Sequence, residues 1–403
     1  MRGQWQIGSF FGIPFYLDTS WFIIVGLVSL ANATEINQQI LGNNQIWLGG
    51  VLGLLLALLL FASVLLHELG HSLAARTQGI TVNSITLFLF GGVAAIERES
   101  KTPLGAFWVA IAGPLVSFAL FIIFWTMGNL GQQWLIVRYF GQNLGQINLF
   151  LGLFNLIPGL PLDGGQILKA LVWKWSGDRL VGVRWAARSG QGIGLIGVAL
   201  GLISLFVIGD AGGAWLALVG WFVWRNANAY ERTSNLQSGL KMIRATEVMT
   251  REFRVVNANL TLREFAETYL LQGNQNLVPY YAASDGRYRG LVRVNLLQDI
   301  ERSEWDWLTL QDIAIPLTES PHVGENSNLV EIINQLERSG DRALTVLSPA
   351  AAVAGVIDRG DVVKAIVTQQ GLPIPEAEIK RIKQEAVYPS YLPLVNLAKS
   401  LEN

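Results

Sequence analysis

Long apolar runs separated by short polar connections fill the first 230 residues, after which the chain turns to mixed globular sequence. A bilayer-crossing helix needs about 20 consecutive, mostly apolar residues. On that measure six spans are expected, near Phe15–Ala33, Ile46–Thr77, Pro103–Met127, Leu135–Ile157, Ser189–Ile208 and, with some extension, Ala214–Val223. The first carries Asp18 at its edge and the last is short. Between the second and third, Ser84–Ile96 (SITLFLFGGVAAI) is too short to cross, and the pair Gly91–Gly92 reads as the turn of a small membrane-embedded β-hairpin. An edge of that hairpin could accept an extended peptide as an added strand; the hairpin could equally lie in the interface as a packing element.

Beyond Asn228 a linker, 231–244, leads to two similar units, 245–305 and 306–370, and a tail, 371–403. In the first unit a strand at Val255–Val256, a helix from Thr261, a strand at Asn276–Tyr281, a turn at Asp285–Gly286 and a strand at Gly290–Arg293 lead into a helix at Val294–Glu301. The second repeats the order with His322–Val323, a helix from Asn328, strands at Ala343–Leu347 and Gly355–Ile357, and a helix at Asp361–Thr368. The offset stays near 65 residues, the mark of an internal repeat. The tail, with Pro373, Pro375 and the charged stretch Glu376–Glu385, reads as a solvated helix and a loose end.

Composition narrows the class. With 403 residues, 51% apolar content and a mean hydropathy of +0.38, the chain is a multi-pass α-helical membrane protein with a soluble α/β appendage. A formal charge of −1 gives no footing for nucleic acid. The absence of cysteine removes disulfides, thiol catalysis and thiolate ligands, so a metal site must use histidine and carboxylate. The start lacks the layout of a cleaved secretory signal and is kept as a permanent span. In a six-span threading Arg2, Arg76, Arg98, Lys101, Lys169, Lys174, Arg179, Arg184, Arg188, Arg225 and Arg232 fall on one side, against Arg138 on the other. The positive-inside bias then makes both termini and the soluble half cytoplasmic, with the plasma (inner) membrane as the expected location.

Two of the three histidines lie in LLHELGHSLAAR, Leu65–Arg76, at the end of the second run. On a helix His67 and His71 share one face a turn apart, with Glu68 beside them. Two imidazoles so placed can hold a zinc ion, and a neighbouring carboxylate that is not a ligand can activate water. Ionisable residues at membrane depth are functional by default. The fourth run ends in NLIPGLPLDGG, Asn155–Gly165, where two prolines break the helix. Asp163 on that irregular backbone is either a cap for a helix from Gln166 or a third ligand, since His322 lies far off in the soluble part. Asn155 could donate a hydrogen bond near the site or pack between helices. Gly113, Pro114 and the glycines from Gly190 to Gly201 read as helix packing.

HELGH in an apolar helix followed about ninety residues later by NLIPGLPLDGG resembles the site-2 protease family of intramembrane zinc metalloproteases. The resemblance covers roughly the first 230 residues. It implies His67, His71 and Asp163 as ligands of one Zn(2+), Glu68 as general base, and Asn155 near the bound peptide. It further implies single-span membrane proteins as substrates, for example membrane-tethered anti-sigma or transcription regulators, unwound within the lipid bilayer before cleavage. One departure is Ser117, where members often carry Asn. The two repeats are similar to a pair of CBS domains, modules that often bind ATP, ADP or AMP and that form dimers. Asp361 matches that family's ribose carboxylate, or is a plain acid at a helix start; Asp358 replaces the usual hydroxyl residue, and the first repeat has neither group. A membrane transporter or metal carrier regulated by nucleotide, or an inactive scaffold, are the readings from other classes.

Overall fold

A computed structural model of the chain describes residues 4–41, 45–88, 91–96, 99–271, 278–369, 371 and 374–401. The chain divides into two compact units, Met1–Ser234 and Asn235–Asn403. Arg2, Arg98, Pro373 and the start of the strand expected at Asn276 lie outside the described residues.

In the first unit, β1 (Gln4–Phe10) and β2 (Ile13–Asp18) form an N-terminal hairpin, so the first span begins at Thr19 and not at Phe15. Asp18 marks the switch, since its Oδ1 accepts from the Ser20 N–H at 2.9 Å and caps α1 (Thr19–Ile36). The motif helix α2 (Ile46–Arg76) follows, then β3 (Val82–Phe88) and β4 (Gly91–Ile96). The order is β1-β2-β3-β4, with β2 and β3 parallel (Phe15 opposite Ile85) and β3 and β4 antiparallel. The expected hairpin is therefore half of a larger sheet, and β4 is its outer strand. Gly91 and Gly92 open β4 opposite Phe88 and Leu87 as strand residues and are not the turn expected there; residues 89–90 lie outside the described residues. Ile13, Phe15, Val82 and Ile85 from the sheet pack with Leu69 and Ala75 of α2, which seats the sheet on the motif end of that helix.

Four long helices complete the unit: α3 (Pro103–Leu130), α4 (Leu135–Asn155), α6 (Arg179–Ile203) and α7 (Gly212–Met242), with the shorter α5 (Asp163–Ser176) between α4 and α6. Among the described residues, four helical stretches are long and apolar enough to cross a membrane: Thr19–Leu41, Ile46–Arg76, Pro103–Leu130 and Arg179–Ile208. The expected fourth and sixth spans are helices too, but Arg138, Gln142, Asn143 and Asn148 in α4 and the polar second half of α7 hold them below that measure. The fifth span starts ten residues earlier than expected, so Arg179, Arg184 and Arg188 stand on α6 and not in a loop. The expected linker continues α7 as helix to Met242. Leu30, Ile123 and Phe206 are more than half exposed, an outward-facing apolar surface suited to lipid.

The second unit repeats one topology. After α8 (Ala245–Val248), repeat one runs β5 (Arg254–Asn257), α9 (Leu262–Phe265), β6 (Tyr280–Ser284), β7 (Arg287–Val292) and α10 (Leu310–Ile313). Repeat two runs β8 (His322–Gly324), α11 (Leu329–Ser339), β9 (Ala343–Leu347), β10 (Val353–Asp358) and α12 (Arg359–Gln369). In each, the first strand pairs parallel with the second and the second antiparallel with the third. The helix expected at Val294–Glu301 is a short 3-10 turn, Val294–Gln298. The tail forms α13 (Glu376–Glu385) and α14 (Leu394–Leu401), and it is not loose: Ile382, Leu394 and Ala398 are buried in the core with Leu329, Ile333 and Ile366.

Candidate metal centre

The helix period brings the two histidines together as spaced. The His67 and His71 Nε2 atoms lie 3.2 Å apart. Asp163 Oδ2 stands 3.0 Å from the first and 3.2 Å from the second, and one donor atom from each of the three falls within 4.8 Å of the others. Asp163 is the first residue of α5, whose cap position is Leu162, and its carboxylate turns to the imidazoles with no capping bond given at that helix start.

Asp163 reaches this place because the turn after α4 is tied to α6. The Leu160 N–H donates to the Ala186 carbonyl at 3.1 Å, the Ser189 hydroxyl donates to the Pro158 carbonyl, and Leu160 is fully buried against Ala186 and Ala187. Broken backbone at this depth is thus satisfied by protein.

Both imidazoles are held from behind. His71 Nδ1 is 2.7 Å from the Val109 carbonyl, which can only accept, so Nδ1 carries the proton and Nε2 of the neutral ring presents its lone pair. His67 Nδ1 is 2.8 Å from Ser117 Oγ. Engagement of the far ring nitrogen is how metal-binding histidines are oriented. Neither Val109 nor Ser117 was singled out as an orienting group from sequence. The signal available was the α3 face: Val109, Gly113 and Ser117 recur every four residues. Gly113 is the floor of the site. A Cβ there would stand 2.2 Å from His71 Nε2 and 2.6 Å from His67 Nε2, so only glycine lets α3 approach the imidazoles this closely.

Glu68 is half-buried, and a Cβ on Gly92 would meet its Cγ at 2.5 Å, so the outer strand β4 runs directly beside it. Asn155 Nδ2 lies 3.5 Å from His67 Nε2, at the rim of the donor set and too far for a strong hydrogen bond. Two nitrogens and one carboxylate oxygen, with a polar amide alongside, suit zinc with one position left open.

His322 belongs to the other unit, where its Nδ1 donates to the Ser320 carbonyl at 2.8 Å. Asp361 is placed differently from Asp163. Its Oδ2 accepts from the Asp358 N–H at 3.1 Å, as an acid in the first turn of a helix does, and its Oδ1 is 2.8 Å from Lys383 Nζ of α13. The same ammonium lies 3.2 Å from both Asp358 Oδ2 and Glu252 Oε2. Burial and the neighbouring Asp358 push the Asp361 carboxyl up to about 6, while the surrounding carboxylates raise the Lys383 ammonium.

A buried imidazole pair and carboxylate inside a bundle of apolar helices define a membrane protein with a candidate metal centre, and the comparisons specify which. The profile of Peptidase family M50 matches residues 55–144 and 132–196. A Synechocystis sp. protein provisionally named a zinc metalloprotease is 38% identical over 370 residues, covering 91% of this chain and 97% of its own length. The site-2 protease from Methanocaldococcus jannaschii is 31% identical, covering 57% of this chain and 95% of that one, with a TM-score of 0.40. The CBS domain of a bacterial CNNM/CorC family Mg2+ transporter is 23% identical over 34% of this chain and 82% of that one, with a TM-score of 0.28. The chain belongs to the M50, or site-2 protease, family. It is an integral membrane metalloprotease, with the two repeats described above in its second unit.

Proposed function

We propose that the protein is an intramembrane zinc endopeptidase in which His67, His71 and Asp163 hold the metal, Glu68 is the general base and Asn155 contacts the bound peptide. The observation that carries this reading is the convergence of two Nε2 atoms and one carboxylate oxygen on one point, with Glu68 beside β4. Bound there, zinc supplies Lewis acidity that polarises a carbonyl and acidifies water. Glu68 takes the proton from the attacking water and returns it to the leaving amine. Val109 and Ser117 keep both imidazoles turned to the centre, and the Asn155 amide donates to the oxygen that gains charge.

The substrate class is the transmembrane segment of a single-span protein, such as a membrane-tethered anti-sigma factor or transcription regulator. A helix in lipid has its backbone satisfied internally, so a target must unwind first, and the free edge of β4 offers replacement main-chain bonds beside Glu68. Positive charge at the motif end of α2 and before α3, Arg76 and Lys101, supports cytoplasmic termini, and the inner membrane is the location in this reading. Adenine-nucleotide control through the CBS-like pair rests on Asp361, which Lys383 covers, so a ligand there has to displace α13. Pairing of two chains through the repeats remains part of this reading.

The decisive experiment compares the wild type with Glu68→Gln. The variant is expected to keep one zinc per chain and lose cleavage by about 10²–10⁴-fold, the range for a general base. A transporter or metal carrier has no use for Glu68, and a scaffold needs no zinc. Cleavage retained in Glu68→Gln would sink the assignment.

A further inference from the structure

The β4–α3 connection is fastened on two sides. Towards α2, the Ser100 hydroxyl donates to Gln78 Oε1 at 2.7 Å, and Gln78 Nε2 donates to the Gly105 carbonyl at 2.9 Å. Towards α5 and α6, a single carboxylate oxygen, Glu99 Oε2, meets Lys169 Nζ at 3.2 Å and Arg179 Nη1 at 3.0 Å. Lys169 leaves 7% of its side chain exposed, and among the described residues its ion pair is with Glu99. A buried ammonium is costly, and methionine would fill that volume with less penalty; such pairs earn retention where they fix an arrangement.

What they would fix here is the width of the cleavage site. Glu99 lies three residues beyond β4, whose Gly92 flanks Glu68, and four before α3, which holds both imidazoles through Val109 and Ser117. Its partner Lys169 sits on α5, whose first residue is Asp163, about 9 Å along the helix at 1.5 Å per residue. The salt bridge therefore joins the residues that lead into α3, three positions beyond β4 in sequence, to the helix whose first residue is Asp163. A cavity of about 660 Å³, lined by Thr77, Gln78, Glu99, Lys101 and Trp108, lies beside Glu99. His67 and His71 have their own anchors in Ser117 and Val109, and the turn that carries Asp163 is tied to α6.

We propose that Glu99 is a positioning residue for peptide cleavage, latching β4 at a set distance from α5 so that a strand added to β4 places its carbonyl against Glu68 and the metal. The inference rests on the protease reading above. It is tested with full-length protein in lipid nanodiscs and a fluorogenic transmembrane substrate, measuring zinc per chain, Tm, KM and kcat for Glu99→Gln, Glu99→Asp and the double variant Glu99→Ala/Lys169→Met. Glu99→Gln is expected to keep its zinc and lose on the order of 10–100-fold in kcat/KM, the scale of a displacement near 1 Å. Glu99→Asp recovers part of the loss. The double variant removes the unpaired buried charge, so Tm returns to the wild-type value while kcat/KM stays low. Recovery of kcat/KM together with Tm makes the pair a stability element and overturns the proposal, as does unchanged kcat/KM in Glu99→Gln. A zinc-loaded wild type that cleaves nothing instead fails the protease reading, and this inference falls with it.

Discussion

Asp163 and Asp361 look alike in sequence, each an acid at the start of a helix with glycine beside it and each an expected ligand-binding carboxylate. Their surroundings separate them. Asp163 faces two imidazole nitrogens, and the His71 ring proton is directed away from it to the Val109 carbonyl, an arrangement with space for a cation. Asp361 faces an ammonium the chain supplies itself, from a tail helix whose Ile382 is locked in the core. A carboxylate marks a binding site when its neighbours are acceptors in search of a charge; where a lysine has already arrived, it marks a joint.

The comparison is broken most severely in the membrane half by Gly113→Ala. The added methyl would sit 2.2 Å from His71 Nε2 and 2.6 Å from His67 Nε2, so both imidazoles would have to shift. Zinc content per chain, measured after dialysis against a weak chelator, is expected to fall by more than the roughly 10–100-fold that loss of an outer hydrogen-bond partner costs. Full zinc occupancy in the variant would mean that α3 does not floor the site.

Ser117→Ala is the milder cut. The His67 ring keeps its place on α2 but loses the hydroxyl that sets its orientation, and a loss of about 10–100-fold in zinc affinity is expected, with Ser117→Asn retaining most of it. An affinity unchanged in Ser117→Ala would leave the packing of α2 and α3 as the sole determinant of ring orientation.

These two residues also show where sequence was legible. HELGH could be read because a helix period converts spacing directly into geometry, and Asp163 because prolines Pro158 and Pro161 announce broken backbone. The repeat was legible from element order. Ser117 and Val109 depend on how α3 lies across α2, and no local period carries that. The N-terminal hairpin was hidden because Ile13, Phe15 and Leu17, buried strand residues, run on into the apolar helix, with Asp18 as the sole punctuation. Parallel pairing of β2 with β3 joins segments about 70 residues apart and is likewise non-local. The tail was misjudged as loose because the charged stretch Glu376–Glu385 masks Ile382, and Leu394 and Ala398 beyond it are buried as well. Lys383 is one charge among six in Glu376–Glu385, and its three carboxylate partners come from Glu252, Asp358 and Asp361.

Lys383→Met acts in the second unit and has the smallest effect. The variant keeps the aliphatic stem that lies over Gly360 and removes the charge. Burial and Asp358 already hold the Asp361 carboxyl up at about 6, so the folded unit binds protons more readily than the unfolded chain, where the group titrates near 3.8. A raised pKa of this kind favours the fold below the unfolded value and loses that advantage as pH rises through the folded one. Without the ammonium the folded pKa climbs further, and above it Asp358, Asp361 and Glu252 face one another unpaired. The cost of the substitution is therefore expected to be small at pH 5 and to reach about 1–3 kcal/mol at pH 8, the scale of a lost hydrogen bond to a charged group. Thermal unfolding of the full-length protein at the two pH values reads this directly, with zinc content and cleavage unchanged at either. If Asp361 instead serves a nucleotide as its main partner, Lys383→Met gains stability from added ATP or AMP that exceeds any the wild type shows. A pH-independent cost with no nucleotide response would reduce α13 to packing through Ile382 alone.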